Sequence, residues 1–165
     1  MLRPEQLAKI VLDEYWEAGR FPVDPIQIAR GMSLKVFDVE LPGDVSGAII
    51  KKPGQDASIF INADDSRQRR RFTCAHELGH YVDHLYNKDS DFNEYEIIEY
   101  RDNTSGTGRH PDEVFANQFA ANLLMPESEI RKLHSQDVNR LEMAKYFDAS
   151  PESINYRLIN LRLAR

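Results

Sequence analysis

Leu7, Ile10, Val11 and Tyr15 recur at three- and four-residue intervals after Pro4, the spacing that gathers apolar side chains on one helical face. They predict a first helix ending near Gly19. Asp24 as cap and Pro25 in the first turn predict a second, short helix that stops at Gly31, with Gly31 taking the left-handed exit. The pattern then shortens. Leu34 to Phe37, Val45 to Ile50 and Ser58 to Ile61 are β-branched or aromatic runs, with a turn at Lys52-Pro53-Gly54 between the last two. Asp64, Asp65 or Ser66 can cap a long helix reaching about Leu85, and Glu96 to Arg101 is a further strand candidate. Pro111 opens another helix, with Asp112 and Glu113 suiting the positive end of its dipole, and Pro126 requires it to stop at about Met125. Three short helices are predicted beyond, over about 127–134, 137–147 and 151–163. The whole predicts an α+β fold in which a small, mainly antiparallel sheet packs against the long helix and the Pro111 helix, with residues 1–126 as core and 127–165 as a helical C-terminal subdomain.

Composition narrows what such a fold can do. With 165 residues, 41% hydrophobic and 29% charged, the chain has the make-up of a globular domain with one core. The N-terminus lacks the apolar run of a signal peptide and no stretch is long enough to span a membrane, which predicts a cytoplasmic location. Cys74 is the only cysteine, so no internal disulfide and no cysteine-only zinc site can form. A net charge of −6 argues against nucleic-acid binding through bulk electrostatics.

Candidate chemistry sits in the long helix. His76-Glu77-Leu78-Gly79-His80 is an H-E-x-x-H sequence, and four residues of helix rise about 6 Å while completing just over one turn, so both imidazoles leave one face. Two ring nitrogens can then reach one Zn²⁺ at about 2.0–2.1 Å while Glu77 stays beside the site as a general base. A catalytic zinc wants a third protein donor. His84 continues the series but lies about 12 Å along the helix from His76, too far to share the ion. Glu113 is the better ligand, because Ala116 and Ala120 follow it on a face small enough for close helix approach. Asn117, one turn on, is placed to hydrogen-bond a ligand's second nitrogen. Phe115, Phe119, Leu123 and Leu124 read as core. Two imidazoles and a carboxylate also admit manganese or iron.

The segments Arg71-Phe72-Thr73-Cys74-Ala75-His76-Glu77-Leu78-Gly79-His80 and Glu113-Val114-Phe115-Ala116-Asn117-Gln118-Phe119-Ala120-Ala121-Asn122-Leu123-Leu124-Met125-Pro126 together resemble the ImmA/IrrE family of metallopeptidases. The resemblance is strongest over 65–126. It implies a gluzincin-like zinc peptidase with His76, His80 and Glu113 as ligands and Glu77 as catalytic base, and a helix-turn-helix transcriptional repressor of a phage, mobile element or stress locus as protein substrate. Cys74 departs from the aliphatic residue more usual at its position and reads as a small buried side chain, with an oxidant-sensing thiol as the rarer alternative.

Around this centre the expectations are looser. His110, Tyr100 and Arg101 lie near the loop into the Glu113 helix and are candidates to stabilise the transition state. An extended peptide can add to the sheet edge beside the metal helix. Arg67, Arg69, Arg70 and Arg71 oppose the dipole of the helix they begin and read as a solvated face, with contact to an acidic substrate or to nucleic acid as the functional alternatives. Leu141, Ala144 and Phe147, the cap Ser150-Pro151, and Ile154, Leu158 and Leu161 resemble a helix-turn-helix, and from residue 131 onward seven Lys/Arg face four Asp/Glu. DNA contact there is a secondary expectation that the overall charge does not favour. The rival reading is a regulatory binding module, or a toxin–antitoxin-type partner, with a structural or vestigial zinc site.

Overall fold

The computed structural model of the chain describes residues 1–88, 96–101 and 110–164, with backbone alone for 97–101. Helix α1 runs from Pro4 to Tyr15 and buries Leu7, Ala8 and Val11. It ends before Gly19 because Trp16 turns to extended backbone (φ −134°) and its indole N–H donates to Arg20 O at 2.8 Å, closing a loop in which Gly19 supplies the positive φ. Helix α2 spans Pro25–Gly31, and Asp24 Oδ1 accepts from the backbone N–H groups of Ile26 (2.9 Å) and Gln27 (3.2 Å). Its left-handed exit falls on Ser33 (φ 68°), two residues past the glycine expected to take it, because Gly31 still belongs to the last turn.

Four strands form one sheet: β1 Lys35–Val39, β2 Gly47–Lys51, β3 Ser58–Asn62 and β4 Ile97–Arg101, in the order β1-β3-β2-β4. β2 pairs antiparallel with both β3 and β4, and β1 runs parallel to β3. The antiparallel character predicted thus holds for two of the three pairings, and the parallel pair arises because β3 lies between β1 and β2 in the sheet. β2 and β3 are largely buried, whereas β1 is half open to solvent.

Helix α3, Arg67–Asn87, starts at Ser66, whose Oγ accepts from Arg69 N. It lies against β2 and β3 on one side and packs most extensively with α4, Pro111–Leu124; α1 covers α4 in turn. α5 (Glu127–Ser135), α6 (Arg140–Phe147) and α7 (Pro151–Asn160) complete the chain. One apolar cluster runs through all of it, from Leu7, Ile49 and Leu78 to Phe147, Ile154 and Leu158. Among the described residues, no helix is long and apolar enough to cross a membrane.

In the arginine run at the start of α3, Arg67 and Arg69 keep the solvated face predicted for them, whereas Arg71 departs from it. Arg71 is 11% exposed; its Nη2 donates to Val23 O (2.7 Å) and Phe147 O (3.3 Å), and its Nε to Asp148 O (3.1 Å). Arg67 Nε reaches Asp148 Oδ2 at 2.7 Å, Arg69 donates to Ser46 Oγ, and Arg70 sits 3.6 Å from Asp38. The carbonyl end of α6 supplies the negative potential that α3's own N-terminus lacks. Arg157 of α7 does the same for α4, donating to Met125 O (3.0 Å) and to Asn122 Oδ1 (2.7 Å). Each helix thereby has its C-terminal carbonyls bound by an arginine from a distant part of the chain.

Candidate metal centre

The site lies where α3 crosses α4. A β-carbon added to Gly79 would stand 3.1 Å from Ala116 Cα and 3.2 Å from Ala116 O, so two helix backbones meet at a place where neither carries a bulky side chain. That crossing carries Glu113, one turn before Ala116, over the face from which His76 and His80 project.

Three donor groups converge there. His76 Nε2 is 3.3 Å from Glu113 Oε2, His80 Nε2 is 3.2 Å from Glu113 Oε1, and the two Nε2 atoms are 3.1 Å apart. The rings meet edge-on, at an interplanar angle of 78°. A tetrahedral ion with bonds of about 2.0 Å has ligand–ligand edges of about 3.3 Å, and the observed triangle has those sides. The residues present therefore fit a divalent cation in geometry and in donor chemistry, and His76, His80 and Glu113 form a group that could hold one.

Two features prepare the group for a cation. His76 Nδ1–H donates to Asn117 Oδ1 at 2.9 Å, which puts a ring proton on Nδ1 and turns Nε2 toward His80 and Glu113. Burial would raise the Glu113 carboxyl, but hydrogen bonds and charge from His76 and His80 outweigh it and hold the group well below the usual carboxylate range.

Glu77, 1% exposed, lies on the neighbouring flank of α3. There β2 comes close: a β-carbon on Gly47 would lie 3.5 Å from Glu77 Oε1 and would overlap Thr73 Cγ2 at 2.3 Å. Glycine at that strand position is what lets the sheet rest on the helix beside the carboxylate.

His84, one turn past His80, does not join the group; its Nε2 lies 3.4 Å from Lys88 Nζ. Burial, then the Lys88 charge, pushes its imidazole down to about 4. His110 stands exposed at the start of α4, with Nδ1 4.0 Å from Asp112 Oδ2, and is not brought to the three ligating groups. Tyr100 and Arg101 fall in β4, and their side chains lie outside the described residues. Cys74 is fully buried and its thiol is pushed up by that burial, which removes the basis for an oxidant sensor. Gly79 and Gly47 escaped the sequence reading. Gly79 carried a signal, since glycine inside a helix costs about 1 kcal/mol and asks for a packing reason; Gly47, at the start of a strand, carried none.

Residues 33–159 match the family model Peptidase_M78, described as the IrrE N-terminal-like domain. A solved Mycobacterium tuberculosis transcriptional regulator is similar in fold, with a TM-score of 0.58 and 14% identity over 94% of this chain and 46% of that one. This chain spans less than half the length of that protein. No curated protein matches it.

Proposed function

The chain belongs to the Peptidase_M78 family of the IrrE N-terminal-like domain, and from that premise we propose that it is a zinc-dependent endopeptidase that cleaves a helix-turn-helix transcriptional repressor. The observation that carries the reading is the triangle of His76, His80 and Glu113 with the buried Glu77 on the same helix turn. Residues 1–126 form the peptidase core and 127–165 a helical subdomain tied to it by Arg71 and Arg157. A repressor substrate places the protein in the cytoplasm.

His76, His80 and Glu113 would hold a zinc ion, which would supply Lewis acidity for activating water near neutral pH and polarising a scissile carbonyl. Glu77 accepts the proton of the attacking water and delivers it to the leaving amine. Asn117 holds the His76 ring by its Nδ1, with Nε2 on the side of His80 and Glu113, where it would serve a bound ion. β4, at one end of the sheet beside α3, offers a strand edge on which an extended peptide is held in register. His110, Tyr100 and Arg101 remain the candidates to bind the developing oxyanion.

A second reading also has an observation behind it. α6 and α7 are joined by only three residues, 148–150, with Ser150 Oγ accepting from Ser153 N, the layout of a helix-turn-helix pair in a DNA- or repressor-binding module whose metal group is structural. Co-expression with the repressor of the same locus, followed by mass spectrometry, separates the two. Cleavage by the native chain and none by Glu77→Gln establishes the peptidase; an intact repressor beside a zinc-loaded native chain leaves the binding module.

A further inference from the structure

The end of α3 meets the start of α4 about 13 Å along the helix from Gly79, and there the contact is made by charge. Lys88 directly follows α3. Among the described residues, its Nζ faces Asp83 Oδ2 and Asp112 Oδ2, each at 3.6 Å, and His84 Nε2 at 3.4 Å. Asp83 is 7% exposed, and its Oδ1 accepts from Asn87 Nδ2 at 2.7 Å. Asn87 in turn closes on the start of the chain, accepting from Leu2 N (2.7 Å) and donating to Leu2 O (3.0 Å). That end of the network is fixed. At the other end, Asp112 lies beside Glu113 in the first turn of α4. Pro111 brings no N–H to that turn, and among the described residues His110, in the cap position, makes no side-chain hydrogen bond to it. His110 is exposed and stands 4.0 Å from Asp112 Oδ2.

We propose that Lys88 is a positioning residue for the metal centre: by bridging Asp83 and Asp112 it holds the first turn of α4, and with it Glu113, over His76 and His80. The proposal rests on the reading of those three side chains as a metal site. A carboxylate ligand held in place beforehand binds more tightly, because the ion does not then have to order the turn that carries it. Lys88 and Asp112 are 31% and 42% exposed, and ion pairs so open to water add little to folding stability. Their effect here is on geometry. Lys88 lies about 12 Å along the helix from His80, so it acts through Asp112 and not on the ion. Charge and positioning therefore predict opposite signs. Removing a cation from the surroundings of a divalent ion should tighten zinc binding, whereas releasing the turn that carries Glu113 should weaken it.

The test compares the native chain with Lys88→Met, Lys88→Arg, Asp112→Asn and the double variant Lys88→Met with Asp112→Asn. Zinc affinity is read by competition with a chromophoric chelator. Amide hydrogen exchange of Val114, whose N–H donates to His110 O at 3.0 Å, and of Phe115 is read by NMR on chelator-treated protein. Lys88→Met is expected to bind zinc about three- to tenfold more weakly, less than the loss of a ligand's direct hydrogen-bond partner brings, and Lys88→Arg to recover it. In the metal-free Lys88→Met protein the Val114 and Phe115 amides should exchange faster while the urea midpoint stays in place. The double variant should bind zinc no more weakly than Asp112→Asn, because the two residues form one link. Zinc affinity unchanged or raised in Lys88→Met would overturn the proposal, as would losses that add in the double variant. Since the exchange measurement involves no metal, the two readings fail separately. A native chain that binds no zinc, with Lys88→Met still loosening Val114 and Phe115, sinks the metal site and keeps the link between the helices. Zinc bound as tightly without Lys88 as with it sinks the link and keeps the metal site.

Discussion

Arg71 and His76 lie little more than a turn apart on α3 and both are withdrawn from solvent, yet their surroundings are opposite in kind. Around Arg71 stand the carbonyl oxygens of Val23, Phe147 and Asp148 and the Asp148 carboxylate, a cation among acceptors. Around His76 stand the electron pairs of His80 and Glu113 at 3.1 and 3.3 Å, donors to a metal facing one another. The first cluster balances its own charge and ties α3 to α2's loop and to α6. The second gathers three groups whose common complement is a cation. Burial of polar side chains is costly in both places, and the difference teaches that one cluster serves the fold while the other is built for a ligand.

Removing a member of each cluster should therefore have separable effects. The largest is on chemistry: Glu77→Gln is expected to lower cleavage by about 10²–10⁴-fold, with zinc binding and the unfolding midpoint kept, as read by turnover, metal titration and urea denaturation. Arg71→Met should cost about 3 kcal/mol of stability, because three carbonyls and a carboxylate lose a buried donor, and should leave zinc affinity unchanged. A matching loss of zinc affinity would mean the two clusters are one unit and would break the comparison. Asn117→Ala tests the other side. It frees the His76 tautomer and should weaken zinc about 10–100-fold while moving stability of the chelator-treated protein far less than Arg71→Met does.

A buried histidine outside both clusters sharpens the contrast. His84 holds no metal and titrates at about 4 rather than 6.5, chiefly because of burial and then the Lys88 charge. Its folded pKa lies below its unfolded one, so between pH 6.5 and about 4 the unfolded chain binds a proton that the folded chain refuses. The stabilisation is whole above 6.5 and is lost as pH falls through that window. Urea denaturation with chelator present, which keeps metal release out of the curve, should show native stability dropping by on the order of 1–2 kcal/mol more than that of His84→Gln. Parallel curves would count against the shift.

Much of this was legible in the residues. α2 and α4 followed from Asp24-Pro25 and Pro111…Pro126, since proline and a capping carboxylate act locally. The meeting of His76, His80 and Glu113 was legible because helical spacing alone brings His76 and His80 together, and the small residues Ala116 and Ala120 marked the face that could approach them. What stayed hidden is what depends on distant partners. Arg71 looks like solvent-facing charge beside Arg67, Arg69 and Arg70 until α6's carbonyl end is placed against it, and nothing near residues 67–71 announces residue 148. The parallel pairing of β1 with β3 is likewise a matter of β3 entering the sheet between β1 and β2. The end of α1 was misplaced because Trp16 closes the loop through its side chain, where Gly19 alone would have served.

The smallest expected effect falls on the contact that holds the metal centre's two halves together. Gly79→Ala gains about 1 kcal/mol of helix preference and adds a methyl 3.1 Å from Ala116 Cα and from Phe119 Cδ1. Phe119 can turn aside, but Ala116 is backbone, so α4 has to yield by a few tenths of an ångström. Overpacking of this kind costs about 1–3 kcal/mol, and the two effects nearly offset, leaving a net loss of about 1 kcal/mol or less. Yet the displacement carries Glu113 away from His76 and His80, so zinc affinity should fall severalfold while the urea midpoint barely moves. If instead the midpoint falls and zinc affinity holds, Gly79 is a packing residue like any other, and the precision of the metal triangle must come from elsewhere in the α3–α4 crossing.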